Sequence, residues 1–253
     1  MEGAGFHRTR HRMVSLGTSA WDFSLGLQSA RMDVLVDLDG TLVDPKPGLI
    51  GSVQYALDRL GVPVPPADEL LWLIGPPFRV SLPKLLGTPE LTELAIAHYR
   101  ERYFGGAMYD AVVYDGVPDA LDALGAAGCR LFVATSKPHT YARPILEHFD
   151  LARRFVGIHG PELDGTNDHK GDLIAHIMAQ EGVVSERAVM IGDRAFDVAA
   201  AARNGIPTVG VTWGYGTAGE LAEAGACALC PAPAGLAALV LGLRNRVGRN
   251  GSQ

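Results

Sequence analysis

Two aspartates, Asp37 and Asp39, stand two positions apart in the string Asp-Leu-Asp-Gly-Thr, after an apolar run that predicts a strand from Asp33 to Asp37. Gly40 permits a sharp turn through which both carboxylates can converge on one ligand. The N–H groups freed by such a turn can face an anion. Acidic turns also occur at strand ends without any function, but the complete string after an apolar strand favours a site for phosphate or a metal ion.

A second acidic group, Asp193 and Asp197, comes after another predicted strand and the glycine that follows it, Gly192. Taken alone, Asp193 could cap the next helix by accepting hydrogen bonds from its free N–H groups. Together with Asp37 and Asp39, these carboxylates would form a cluster of the hard oxygen ligands that Mg²⁺ prefers. The two strand ends therefore predict a magnesium site.

Two hydroxyl groups and a lysine lie in similar positions along the chain. Thr135 and Ser136 follow a predicted strand, and Lys170 lies in a loop before a predicted helix. A hydroxyl can hydrogen-bond a phosphoryl oxygen, and a lysine can neutralise the charge that develops in phosphoryl transfer. By themselves, a Thr-Ser pair would usually cap a helix and a lone lysine would usually be solvated. Beside the acidic groups they are candidate phosphate ligands.

These residues need a scaffold that brings several strand ends together, and the hydrophobic pattern predicts one. Apolar, β-branched segments alternate with helical patterns. The predicted strands are 33–37, 130–134, 155–159, 188–191 and 208–212, and the predicted helices between them are 118–127, 140–149, 172–181 and 196–204. Such alternation implies right-handed crossovers and a parallel sheet whose ligands lie beyond the carboxyl ends of its strands. The predicted fold is an α/β, Rossmann-like core.

Residues 45–115 interrupt this alternation, because amphipathic helical segments follow one another there without strands. Their predicted ranges are 49–60, 67–73, 78–86 and 90–103. Pro and Gly mark both ends of the interruption. We therefore predict a helical cap at 45–115, inserted into a catalytic core of residues 31–44 and 116–243. Residues 1–30 are predicted to be a poorly ordered extension and residues 244–253 a C-terminal tail.

The composition and charge exclude several classes of protein and of partner. The chain of 253 residues has a formal net charge of −6 and no long run of Lys or Arg, which argues against nucleic acid and anionic lipid as partners. No segment approaches the roughly 20 uninterrupted apolar residues of a membrane span. Three cysteines are too few for a disulfide framework, so a cytoplasmic location fits best. Cys227 and Cys230 lack the second pair of a zinc site and are interpreted as small buried residues near a strand.

The order of these motifs resembles the haloacid dehalogenase superfamily over about residues 31–240, with a cap of that family's first type. The family pattern has Asp-x-Asp-Gly-Thr first, Thr or Ser second, Lys third and Gly-Asp-x-x-x-Asp fourth, and all four occur here in order. The resemblance implies that Asp37 is the nucleophile and Asp39 its acid/base partner. It implies Thr135 as a phosphate ligand and Lys170 as the charge-stabilising cation.

The same resemblance implies a Mg²⁺ ion bound by Asp37, Asp39 and Asp193. Asp197 is expected to be a supporting carboxylate, which either coordinates through water or orients Lys170. Further substrate contacts are expected from the turn and from the second motif, at Gly40, Thr41 and Ser136.

Within the superfamily, Asp39 favours phosphate hydrolysis, because dehalogenases lack this acidic partner and P-type ATPases carry Thr there. The strings that include Asp37, Ile74 and Thr135 look most similar to phosphoglycolate phosphatases and 5′-nucleotidases. The implied substrate is a small phosphorylated metabolite, phosphoglycolate or a nucleoside monophosphate. The alternatives are a phosphomutase, a phosphonate hydrolase with a Schiff-base lysine at Lys46 or Lys84, and a non-catalytic binding protein that retained the fold.

Within the predicted cap, a Gly-Pro-Pro turn presents Phe78 and Arg79 at a helix start. Arg79 could contact a second anionic group of the substrate, or it could be an ordinary surface arginine. Four polar or aromatic residues share the next predicted helix and are expected to serve packing and surface charge: His98, Tyr99, Arg100 and Arg102.

Overall fold

The computed structural model of the chain describes residue 1 and residues 31–250, with residues 244–250 described by their backbone alone. The predicted extension at 1–30 lies outside the described residues apart from Met1. The residues from Met32 onward form one unit.

Eight strands occur in the described part of the chain. They are β1 (Asp33–Val36), β2 (Val43–Asp44), β3 (Val112–Val113), β4 (Arg130–Ala134), β5 (Gly157–His159), β6 (Ala188–Gly192), β7 (Thr208–Val211) and β8 (Ala228–Cys230). Six of them form one sheet in the order β5-β4-β1-β6-β7-β8, and all the pairings in it are parallel. The remaining two, β2 and β3, pair antiparallel with each other.

Nine α-helices occur in the same part of the chain. They are α1 (Lys46–Leu60), α2 (Phe78–Leu86), α3 (Thr92–Phe104), α4 (Val117–Ala126), α5 (His139–His148), α6 (Lys170–Glu181), α7 (Ala195–Arg203), α8 (Ala218–Glu223) and α9 (Leu236–Asn250). A 3-10 helix at Ala67–Leu73 lies between α1 and α2. None of the described helices is long and apolar enough to cross a bilayer.

The sheet is buried on both faces because successive side chains of its strands point in opposite directions. In the central strand β1, Val34 and Val36 join a cluster that includes side chains of α4, α5 and α9. Leu35, between them, joins a cluster on the opposite face with side chains of α6 and α7. The result is a three-layer α/β arrangement, which confirms the predicted Rossmann-like core.

The residues between β2 and β3 form helices α1, α2 and α3 and the intervening 3-10 helix. The β2–β3 pair brings the two ends of this segment together, with Val43 opposite Val113. Side chains of α1 and α3 share one apolar cluster, which also takes in Tyr141 and Ile145 of α5. The inserted helices therefore rest against a helix that follows the second strand of the sheet.

The element boundaries differ from the sequence-based expectations mainly at short strands. The predicted strand at 155–159 begins only at Gly157, and β2, β3 and β8 were not predicted. A strand of two or three residues is too short to produce a periodic hydrophobic pattern. The last helix continues to Asn250, beyond position 243 at which we expected the core to end. Cys230 is buried as predicted, whereas the prediction is wrong for Cys227, which is exposed just before the edge strand β8.

Candidate active site

The first acidic motif lies where the central strand ends. The Asp37 N–H donates to the Ile191 carbonyl of the neighbouring strand at 2.9 Å, and the chain then turns, with the Leu42 N–H donating to the Leu38 carbonyl at 2.8 Å. Asp37 is 3% exposed and Asp39 is 6% exposed. Because β4 and β6 flank β1 and run parallel to it, Thr135 and Asp193, which follow these strands, lie at the same edge of the sheet as Asp37.

Glycine is required in this turn because the fourth motif comes so close. Gly40 has a φ of 84°, and a Cβ there would lie 2.2 Å from Asp193 Oδ2. Gly214 approaches the same carboxylate from β7's side of the site, where a Cβ would lie 2.4 Å from Asp193 Oδ2. The Asp193 carboxylate accepts hydrogen bonds from Thr41 Oγ1 at 3.3 Å and from the Tyr215 N–H at 2.7 Å. Two loops, each with a glycine at its point of closest approach, thus enclose Asp193.

Three carboxylates converge in this enclosure. Asp37, Asp193 and Asp197 each offer an oxygen, and these atoms lie within 4.8 Å of one another. Burial raises the pKa of Asp193, and the neighbouring Asp197 and Asp37 raise it further. Burial also raises the pKa of Asp197, although Lys170 opposes this shift. The raised pKa values reflect an excess of negative charge in a place with little water.

Lys170 supplies the positive charge in this cluster. It begins α6, is almost fully buried, and hydrogen-bonds the Asp197 carboxylate. Its Nζ also lies 2.8 Å from Asp37 Oδ1. Burial alone would lower the pKa of Lys170, but Asp197 and Asp37 together raise it above its ordinary value. Lys170 is therefore a permanent cation between the nucleophile candidate and Asp197.

The cluster fits a divalent cation. Three carboxylates face one ammonium group, and Asp37 Oδ1 accepts no hydrogen bond of good geometry from the described residues despite its short distance to Lys170. Hard carboxylate oxygens in this number suit Mg²⁺. The carboxylate of Asp39, which we expected among the ligands, lies outside this cluster and is bound by Lys137.

The Asp39 carboxylate is held by a lysine that sequence reasoning did not assign. Lys137 Nζ donates to Asp39 Oδ1 at 2.8 Å and to the Tyr103 hydroxyl at 2.6 Å. Lys137 follows the Thr-Ser pair after β4, whereas Tyr103 lies on α3 in the inserted helices. Burial raises the pKa of Asp39, and Lys137 opposes this shift. The only sequence signal for Lys137 was its position directly after two hydroxyl residues at a strand end.

The two hydroxyl residues themselves differ in their surroundings. Thr135 is buried, its N–H donates to the His159 carbonyl at 3.2 Å, and its Oγ1 accepts from the Lys137 N–H at 3.2 Å. The Ser136 Oγ is buried and has no hydrogen-bond partner among the described residues. Both line the same pocket as Asp37 and Asp39, so both are placed to meet a phosphoryl group.

A pocket of about 720 Å³, including its open mouth, lies above these residues. Its walls are mostly apolar and aromatic, and they come from the inserted helices and from α5: Leu49, Leu73, Phe78, Ile96, Tyr99 and Tyr141. Tyr99 and Arg100, which we expected to serve packing and surface charge, thus also line the pocket.

Arg79 reaches the pocket but is neutralised there. Its guanidinium donates to Glu93 Oε1 at 2.8 Å and to Asp168 Oδ2 at 2.9 Å. Glu93 belongs to α3, and Asp168 belongs to the loop before Lys170. Arg79 therefore links α2 to α3 and to that loop. Its positive charge is already balanced by these two carboxylates and not by a second anionic group of a substrate.

The part of the chain that contains this site is similar to known proteins. A family described as haloacid dehalogenase-like hydrolase matches residues 34–211. A 5′-nucleotidase of Pseudomonas aeruginosa is 45% identical over 190 residues, which cover 75% of this chain and 86% of that protein. A phosphoglycolate phosphatase of Salmonella typhimurium is 33% identical over 213 residues, with 75% of this chain and 84% of that protein covered.

A protein of Mycobacterium tuberculosis named tyrosine-protein kinase PtkA is 43% identical over 185 residues, which cover 73% of this chain and 63% of that protein. Among solved structures, one described as a predicted phosphatase from Clostridium acetobutylicum superimposes with a TM-score of 0.81 at 38% identity. It covers 83% of this chain and 98% of its own. The matched residues include every acidic residue of the site described above.

Proposed function

Because the chain belongs to the haloacid dehalogenase-like hydrolase family, we propose that it is a Mg²⁺-dependent phosphatase that hydrolyses a small phosphomonoester through an aspartyl-phosphate intermediate. One observation carries the proposal: two aspartates two residues apart have separate surroundings. Asp37 faces the acidic cluster and Lys170, whereas the Asp39 carboxylate is bound by Lys137. Such a pair can divide nucleophilic and acid/base roles between chemically identical side chains.

In the proposed reaction, an Asp37 oxygen attacks phosphorus in line and the bond to the alcohol oxygen breaks. Asp39 in its protonated form gives its proton to the departing oxygen. A water molecule then attacks the aspartyl phosphate while Asp39 accepts a proton from it, which releases phosphate and restores the Asp37 carboxylate and the protonated form of Asp39. The balance is one water consumed for one alcohol and one phosphate produced.

The residues around the phosphoryl group have supporting roles. Lys170 offsets negative charge near Asp37, while Thr135 and Ser136 offer hydroxyl donors to the phosphoryl oxygens. The Gly40 and Thr41 N–H groups donate instead to the Val43 and Leu38 carbonyls, and the Thr41 hydroxyl donates to Asp193, so this turn shapes the site around Asp193. Asp197 orients Lys170 through their hydrogen bond. Asp37 and Asp193 would hold Mg²⁺, which supplies Lewis-acid polarisation of the phosphoryl group and neutralises repulsion between nucleophile and ester.

For the substrate, the pocket favours a nucleoside monophosphate over phosphoglycolate. Phe78, Tyr99 and Tyr141 offer aromatic surface that a nucleobase can pack against, whereas a glycolate group has no ring to use it. The similarity to a protein named 5′-nucleotidase points the same way. Phosphonate hydrolysis is disfavoured, because neither Lys46 nor Lys84 lines the pocket and Lys46 pairs with Asp68.

We further propose that residues 45–115 act as a cap over a core of residues 31–44 and 116–243. The support is that side chains from both parts line one pocket and that Lys137 of the core bonds Tyr103 of the inserted helices. Closure of such a segment would exclude water from the reaction. A cytoplasmic location is proposed because three cysteines are too few for the disulfide framework of a secreted domain.

The test is hydrolysis of p-nitrophenyl phosphate by the purified chain, with Mg²⁺ and with EDTA. We expect activity with Mg²⁺, its loss in EDTA, and a loss of at least about 10³-fold in Asp37→Asn, since the nucleophile is gone. Rapid acid quenching with ³²P-labelled substrate should trap phosphate on the wild-type chain and not on the variant. A pure, folded protein that stays inactive, or an Asp37→Asn variant with full activity, would refute the mechanism.

A further inference from the structure

Tyr141 is a buried polar group that the proposed mechanism does not use. It lies on α5, is 3% exposed and lines the pocket. Its ring packs edge-on against Tyr103 at a centroid distance of 5.3 Å. Its hydroxyl has no hydrogen-bond partner of regular geometry among the described residues. Burial raises the pKa of this hydroxyl to about 12, so that it keeps its proton at neutral pH and can donate it.

Arg100 is the second unused polar group of the pocket. It lies on α3, and its Nη2 donates to the Leu163 carbonyl at 2.9 Å. No carboxylate of the described residues lies within ion-pair distance of its guanidinium, in contrast to Arg79, which takes both Glu93 and Asp168. The Arg100 charge also acts on the Tyr141 hydroxyl and opposes the rise in its pKa. The two side chains are therefore close neighbours in the lining of the pocket.

These two groups are donors in a pocket whose walls are mostly apolar and aromatic. Arginine has only donors, and a phenol that already faces a guanidinium offers its proton to a third group. The adjacent walls are formed by residues such as Phe78, Ile96 and Tyr99, so an acceptor placed between the donors would be sheltered from water. An unpaired buried donor is costly, and a ligand oxygen would relieve that cost.

We propose that Arg100 and Tyr141 form a specificity subsite for an acceptor oxygen on the leaving group of the substrate. The substrate class is a phosphomonoester whose alcohol carries a carboxylate or a carbonyl group, such as a nucleotide base with an exocyclic oxygen. The inference rests on the proposed phosphatase function. It assigns to Arg100 the anion-reading role that the sequence suggested for Arg79.

The test compares kcat/KM for phenyl phosphate, which has no such acceptor, with kcat/KM for UMP, phosphoglycolate and 4-carboxyphenyl phosphate. We expect the wild-type chain to favour at least one of the acceptor-bearing substrates. Tyr141→Phe and Arg100→Gln should each lower the ratio of that kcat/KM to the value for phenyl phosphate by about tenfold or more, mainly through KM. Tyr141→Phe removes only a hydroxyl that makes no hydrogen bond of regular geometry with the described residues, so its melting temperature should change little.

Matched controls are Tyr109→Phe and Arg102→Gln, which change the same residue types outside the pocket lining and should leave the ratio unchanged. If all substrates are hydrolysed but the ratio of kcat/KM values is the same in wild type, Tyr141→Phe and Arg100→Gln, the subsite is refuted. The phosphatase function would still stand. Failure of the wild-type chain to hydrolyse any of the four substrates would instead refute the phosphatase function itself. If Arg100→Gln does not fold, the Tyr141→Phe ratio decides.

Discussion

At the scale of single residues, the site distinguishes two aspartates by what each of them contacts. Asp37 lies beside two other carboxylates and Lys170, whereas Asp39 contacts Lys137, which is itself fixed by the Tyr103 hydroxyl. Because Lys137 and Asp39 are both almost fully buried, their attraction is little screened by water. Lys137 therefore fixes where the acid/base candidate points.

We predict that Lys137→Met lowers kcat for an alkyl phosphate by about 10²-fold or more, the usual contribution of a positioned acid/base group. The variant should also melt well below the wild-type chain, because one partner of a buried ion pair is left alone. Thermal melts and steady-state kinetics on one preparation measure both effects.

Lys46→Met is the matched control, since Lys46 pairs with Asp68 where both side chains are largely exposed. It should leave kcat and the melting temperature nearly unchanged, as expected for a surface ion pair. A Lys137→Met variant with wild-type kcat would show that Asp39 needs no such partner.

At the scale of elements, helix α1 packs very closely against the segment that follows α3, at one of its glycines. A Cβ on Gly48 would lie 1.9 Å from the Ala107 carbonyl oxygen, in the turn that follows α3, and 3.0 Å from the Asp110 carbonyl oxygen. Gly51, one turn further along, would meet only the end of the flexible Arg102 side chain at 3.1 Å. Gly48 therefore permits a close approach of two backbone segments, whereas Gly51 lies beside a side chain that can move.

We predict opposite outcomes for the same substitution at these two positions of α1. Gly48→Ala should lower the free energy of unfolding by about 1–3 kcal/mol, because backbone must move to admit the methyl group. Gly51→Ala should leave it unchanged or raise it by up to about 1 kcal/mol, because alanine favours a helix over glycine. Urea unfolding at equilibrium measures both values, and equal losses in the two variants would contradict this packing.

At the scale of the whole molecule, the buried charge of the site makes stability depend on pH and metal. The pKa values of Asp193 and Asp197 are raised in the folded chain, by burial first and by neighbouring carboxylates next. Between the ordinary aspartate pKa and these raised values, the folded chain binds more protons than the unfolded chain. Its metal-free stability must therefore fall as the pH rises through this range. Lys170 adds no slope there, because its raised pKa keeps it charged in both states.

We predict that in EDTA the melting temperature falls between pH 5 and pH 8, and that Mg²⁺ raises it more at pH 8 than at pH 5. Asp193→Asn keeps an acceptor oxygen for the Tyr215 N–H but removes one repelling charge. In EDTA at pH 8 the variant should therefore melt above the wild-type chain, and Mg²⁺ should no longer stabilise it. A variant that melts lower than wild type in EDTA would contradict the charge argument. Calorimetry at several pH values provides the measurement.

The sequence by itself determined the sheet and the acidic end of the site. Apolar runs such as 33–37 and 130–134 have a strand pattern that needs no tertiary contact to be recognised, and parallel strands necessarily bring their carboxyl ends to one edge. Asp37, Thr135 and Asp193 could therefore be assembled from their positions after strands alone.

Only the tertiary structure decided which partners these residues have. Lys137 and Asp39 are 98 residues apart in sequence, and Arg79 and Asp168 are 89 apart. Tyr141 and Arg100 belong to helices whose patterns predict only that one face is buried. Which side chains meet across α3 and α5 depends on how those helices are turned against each other, and a hydrophobic pattern carries no information about that angle.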